Sequence, residues 1–240
     1  MNKNQKKFKS FYILNNLQGN FDYSWLVNAS FGKESTVGKI GYIESRIDNE
    51  LHEIDFVWEK TEIVINEELN EELEIVESKQ VKKSVERLSI WYFEHKPFLF
   101  IFTNKVSVIK ELLSFFVPDF DFSPSLIRFN NKFFKEVINR DFESEISEVS
   151  FQSGKSNQKY VISGKSVEQS NFIKTLKSNN EIVSITLSFF DAFSIKAKIS
   201  KSGRITLYNL PESYEVITFI NLIKDLIIEV GEDGLSYENI

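Results

Sequence analysis

His52 and His95 are the only histidines in a chain of 240 residues and lie far apart, so neither an HExxH site nor a paired-histidine acid/base arrangement can be assembled. Glu94-His95-Lys96 supplies the acid and lysine of a metal-dependent nuclease motif, in which two acids hold a divalent cation and the lysine polarises the attacking water; Asp55 is the acid available to join Glu94. Pro97 follows Lys96 between two apolar runs, which places the motif in a hairpin turn and argues against that chemistry. Ser163-Gly164-Lys165-Ser166 ends like a phosphate-binding loop, but Lys159 stands where the loop's first glycine belongs. No GxSxG elbow occurs, and the absence of cysteine removes disulfides, thiol nucleophiles and thiolate metal sites. The expectation is a non-enzymatic protein with no catalytic residues, no metal site and no cofactor.

The most specific pattern lies further on. From Phe193 to Ile199 the residues alternate strictly, with Phe193, Ile195, Ala197 and Ile199 on one face of a strand and Ser194, Lys196 and Lys198 on the other. A return strand turns Ile205 and Leu207 inward and Arg204, Thr206 and Tyr208 outward. Lys196, Lys198, Arg204, Thr206 and Tyr208 thus gather on one open sheet face, with Lys201, Lys155 and Lys159 in the same basic stretch. Cations interleaved with hydroxyl and aromatic groups suit phosphate positioning and base contact. Charge distribution agrees: residues 149–210 hold nine bases and three acids, a sum of +6, so a chain of net charge −6 carries −12 elsewhere. Residues 50–78 hold eleven acids and one base, Lys60.

The expected function is nucleic-acid recognition through this basic face. The alternative is a protein-interaction subunit of a larger assembly, in which the acidic 50–78 segment and the basic face each dock a partner; a metal-dependent nuclease using Asp55, Glu94 and Lys96 ranks third. A charged face kept solvated for solubility is the plain structural reading of the same residues.

Ala197-Lys198-Ile199-Ser200-Lys201-Ser202-Gly203-Arg204-Ile205-Thr206-Leu207, with a helix ending at Ile228-Glu229-Val230-Gly231, resembles one repeat of the TATA-box-binding-protein-like fold. In that family a strand, a Ser-Gly-Lys/Arg turn, a second strand and a long helix recur twice, and the outer sheet face grips the DNA minor groove. The resemblance implies the hairpin-and-helix fold for residues 193–230. Ser200 stands where the family's DNA-kinking phenylalanine sits, so it does not extend to bending DNA.

These groups need elements to hold them. Residues 8–65 read as short strands divided by Asn15-Asn16, Gln18-Gly19-Asn20 and Gly32-Lys33. From Asn66 a helix is expected: Asn66 can cap it, Glu67 and Glu68 suit its positive end, and Leu69, Leu73 and Val76 fall at i, i+4 and i+7. Three later segments follow one plan of strand, tight turn, strand and helix, beginning near Leu88, Ile146 and Phe193; the second enters its helix near Val167 with Phe172, Ile173 and Leu176 inward. Their recurrence predicts an α+β fold of antiparallel sheets with helices packed on one face. Pro118 and Pro124 mark a soft boundary near residue 122, giving a strand-rich domain with an acidic helix (1–122) and a basic-faced domain (123–240), or one continuous domain. The 24 Lys, 5 Arg, 3 Ala and 23 Phe reflect an AT-rich coding sequence more than a function. With no apolar stretch long enough for a membrane span and none suited to a signal peptide, a soluble cytoplasmic location and no membrane partner are expected.

Overall fold

The strand Ser10–Asn16 (β1) sends Phe11 and Ile13 into one hydrophobic core and Tyr12 and Leu14 into another, because successive side chains of a strand point to opposite faces. The computed structural model describes residues 9–16, 40–47, 50–69, 74–93, 96–114, 124–139, 144–154, 158–171, 173, 180–189, 194–209 and 211–239. One edge of β1 pairs with Phe98–Phe102 (β5). Its other edge is shared between Ile205–Leu207 (β11), which meets Ser10 and Phe11, and Pro124–Phe129 (β6), which meets Leu14 to Asn16.

Sheet pairing extends from β1 in both directions, and every pair is antiparallel. Beyond β5 lie Ile75–Phe93 (β4), Leu51–Leu69 (β3) and Ile40–Arg46 (β2). Beyond β11 lie Lys196–Ser200 (β10), Asn180–Phe189 (β9), Ser144–Ser153 (β7) and Lys159–Ser163 (β8). Leu235–Asn239 (β12) adds to the free edge of β6.

The expected α+β arrangement with helices on one face is corrected by this topology. Twelve strands join into one large antiparallel sheet, and the described residues contain three α-helices, Val106–Ser114 (α1), Asn131–Asn139 (α2) and Ser213–Val230 (α3). These helices lie on opposite faces. Ile109 and Leu112 of α1 pack with Tyr12 and Leu14, whereas Phe133 and Phe134 of α2 and Phe219 and Ile220 of α3 pack with Phe11 and Ile13. Hairpin periodicity revealed the local units but could not show that β1 would carry a core on each side.

Two further expectations change. The helix from Asn66 is absent: β3 runs on through Leu69 and β4 begins at Ile75, with Asn66 opposite Ser78. After β8 the chain makes a 3-10 turn at Val167–Gln169; Val167 and Ile173 are buried, while Phe172 and Leu176 fall outside the described residues. The third hairpin forms between β10 and β11, with Ile205 and Leu207 buried as expected in the same cluster as Val216, Phe219, Ile220 and Ile223, while Phe193, expected to open its first strand, falls outside the described residues. Leu207→Ala should therefore cost about 2–5 kcal/mol in a chemical denaturation experiment; a loss below about 0.5 kcal/mol would place the side chain outside the core.

Gly203, in the turn joining β10 to β11, has a φ of +81°, a conformation that favours glycine. A Cβ here would overlap the Ile127 carbonyl oxygen of β6. The turn is held against β6 by the Phe129 N–H, which donates to the Lys201 carbonyl at 3.2 Å. The Ser-Gly-Arg turn thus has a packing reason within this fold.

Candidate interaction surfaces

Lys196, Lys198 and Thr206 point away from the α3 core. Strand register extends their face across the sheet: Ser10, Thr206, Lys198, Thr186, Glu148 and Ser163 lie opposite one another on successive strands. Ser184, Thr186 and Ser188 of β9 and Ser150 of β7 form a buried hydroxyl floor, overhung by longer side chains on either side. Lys159 shares the face by alternation along β8. Tyr208 lies just past β11 and is half exposed; Lys155 falls outside the described residues.

The face is less basic than the sequence window implies. Lys198 Nζ donates to Glu148 Oε1 at 2.7 Å, and Lys201 Nζ donates to Glu181 Oε1 at 2.6 Å. Glu148 lies one residue before the 149–210 window, so a count along the chain omitted an acid that the sheet places beside Lys198. Arg204 is half buried, with no acceptor for its Nε among the described residues. Its charge acts on the Tyr12 phenol, whose pKa burial raises and Arg204 partly draws back.

Of the nuclease residues the structure describes Asp55 and Lys96. Asp55 lies on β3 opposite Ser89, and the Lys96 backbone N–H closes a turn onto the Phe93 carbonyl; Glu94 and His95 fall outside the described residues. Among the described residues no group of three or more His, Asp or Glu side chains is placed to hold a metal ion. No described helix is long and apolar enough to cross a membrane.

A second surface is built by β3 and β4. They pair without a break from Leu51 opposite Phe93 to Leu69 opposite Ile75, but β2 supports β3 only as far as Trp58, and β5 supports β4 only from Ser89. Beyond that root, among the described residues, the two strands continue as a lone ribbon. One face of the root is anchored to α1: Trp58 Nε1 donates to Glu111 Oε1 at 3.2 Å, and Lys60 Nζ donates to Glu111 Oε2 at 3.3 Å. The Glu111 carboxylate thereby raises the Lys60 pKa above its ordinary value. Further out this face is polar, with Glu62 opposite Lys82 and Asn66 opposite Ser78.

The other face of the ribbon carries aliphatic residues interspersed with charged ones, and among the described residues nothing covers it. Ile63, Ile65, Ile75, Val81 and Val85 all fall on it by alternation, and they are 67%, 53%, 67%, 66% and 62% exposed. Seven large aliphatic side chains of the ribbon are exposed in all; only Val64 and Val76 lie on the polar face. A free two-stranded ribbon is marginal in water, and exposed aliphatic residues gathered on one face mark an interaction site or an aggregation liability.

No protein-family model and no curated protein matches this chain.

The sequence reading assigned residues 50–78 a docking role through their acidic charge, but passed over the aliphatic residues. A signal was present: Val81 and Val85 recur at an even spacing among charged and polar neighbours, and Ile63-Val64-Ile65 is a β-branched run between Glu62 and Asn66, both marks of strand. Leu69, Leu73 and Val76 masked it with a fragment of helical period. A groove between α2 and α3, lined by Lys132, Glu136, Asn139, Leu226, Glu229 and Val230, is open to solvent.

Proposed function

We propose that this protein is an interaction subunit that docks a protein partner through the apolar face of the β3–β4 ribbon. The observation that carries this reading is the sidedness of the ribbon: five exposed aliphatic residues share one face, whereas its root is anchored through the other. Segregation of this kind is the pattern of a half-buried strand pair, and within the described residues nothing covers it. A photo-crosslinking residue placed at Ile63 or Val81 should capture protein in cells, while the same residue at Glu62 or Ser78, on the polar face, should capture little. Equal capture from both faces, or none from either, would reject the ribbon as the docking element.

Nucleic-acid recognition through the C-terminal sheet face is the second reading. It is favoured by Arg204, whose Nε lacks an acceptor, and by Lys196, which has no carboxylate partner among the described residues. Each phosphate neutralised steepens the log–log dependence of binding on salt by about 0.9 for duplex DNA. Replacing Lys196 and Arg204 with Ala should therefore flatten that slope by about 2. Glu148→Gln with Glu181→Gln should steepen it by a similar amount, by releasing Lys198 and Lys201. Fluorescence anisotropy with labelled single- and double-stranded oligonucleotides would read both changes; no binding at low salt would end this reading.

A further inference from the structure

The apolar face of the ribbon also carries charge in an order that bears on what covers it. From root to tip, Arg87 lies opposite Val57, Glu59 opposite Val85, Lys83 opposite Thr61, Val81 opposite Ile63, Lys79 opposite Ile65, and Glu77 opposite Glu67. Glu59 and Lys83 neutralise each other at 2.9 Å. Among the described residues Arg87 has no ion-pair partner, and Glu67 and Glu77 face one another directly on adjacent strands. Like charges in that position repel and destabilise a strand pair. The ribbon thus has an unmatched cation at its root, two like-charged carboxylates beside Lys79 near its tip, and aliphatic residues with the Glu59–Lys83 pair between them.

A second copy turned end to end supplies what each end lacks. We propose that the apolar face of the β3–β4 ribbon packs on the same face of a second copy of this chain, with the two ribbons antiparallel about a two-fold axis between the Thr61–Lys83 and Ile63–Val81 rows. In that register β3 lies over β3 and β4 over β4, so Arg87 of each copy lies over Glu77 of the other, beside Glu67, the Glu59–Val85 row lies over the Ile65–Lys79 row, and Ile63 and Val81 flank the axis. Each contact occurs twice, as an isologous interface requires. The overlap from the Arg87 row to the Glu67 row spans ten residue steps of about 3.3 Å each. This inference rests on the reading of the ribbon as a docking element and names its occupant.

The test is the mass of the full chain in solution, by sedimentation equilibrium up to about 100 µM, where mass action favours even a weak dimer. The native chain is expected to be a dimer. Arg87→Glu alone and the pair Glu67→Lys with Glu77→Lys alone should each weaken it at least about tenfold, since the like charges so created meet at two symmetric places. Mixing those two variants should restore a dimer, because each reversed end meets its complement. Ile63→Asp should abolish association while circular dichroism shows the fold intact, the site being exposed. A native chain that is monomeric throughout, an Ile63→Asp variant that stays dimeric, or a mixture that does not re-associate would each overturn the proposal. The crosslinking at Ile63 and Val81 separates this inference from its parent reading: capture of a different protein by a monomeric chain leaves the ribbon as a docking element and removes self-association, whereas no capture removes both.

Discussion

Phe219→Ala is expected to destabilise the protein by about 3–5 kcal/mol, the largest effect of any single substitution considered. Phe219 is fully buried on α3, and its ring meets Phe11 of β1 edge-on at 6.4 Å and Phe189 of β9 at 5.9 Å. Truncation removes the transfer free energy of a large aromatic side chain and leaves a cavity at the point where the helix meets both strands. The surroundings cannot readily collapse into that space, because Ile220 and Ile223 on the same helix are themselves packed in the cluster. Urea denaturation followed by far-UV circular dichroism would measure the loss. Tyr214→Ala, on the exposed side of the same helix, should stay within about 0.5 kcal/mol. A Phe219→Ala cost below about 1 kcal/mol would mean that α3 does not pack across β1 and β9.

Gly203→Ala should cost about 3 kcal/mol, through a different mechanism. An alanine at a φ of +81° carries backbone strain of about 1–3 kcal/mol, and its methyl group would overlap the Ile127 carbonyl, a backbone atom that cannot swing aside. Relief requires the turn to lift from β6, which breaks the bond between the Phe129 N–H and the Lys201 carbonyl. Gly154→Ala is the matched control: a Cβ there meets nothing within 4 Å, and the substitution should be neutral or stabilising by up to about 1 kcal/mol. Equal midpoints for the two variants would contradict the close approach of the turn to β6.

Local alternation made the C-terminal hairpin and its buried residues legible in the sequence, because a strand with one wet face writes its register into every second residue. Strand β5 and helix α1 were legible by other signals, an unbroken apolar run from Phe98 to Phe102 and the helical spacing of Ile109, Leu112 and Leu113. The ribbon was not. Asn66, Glu67, Glu68 and Leu69 have helical propensity and helical capping chemistry, and only pairing with a strand beginning at Ile75 overrides them. The charge of the candidate nucleic-acid face was misjudged because a window along the chain cannot see across strands. Glu148 meets Lys198 through the β7–β9–β10 ladder, and no local count contains that contact.

The place of β1 also sets an order of events during synthesis. Its Ser10 pairs with Thr206, so the edge of β1 waits for a strand made 196 residues later, a highly non-local contact. Until β11 has left the ribosome, Phe11 lacks its partner Ile205, and the lid of α3 above it does not yet exist. The nascent chain therefore carries an open strand edge and half of an aromatic core while the residues between β1 and β11 are made. A chaperone that holds extended apolar segments would find its substrate there, and any truncation before residue 205 would leave that edge permanently exposed.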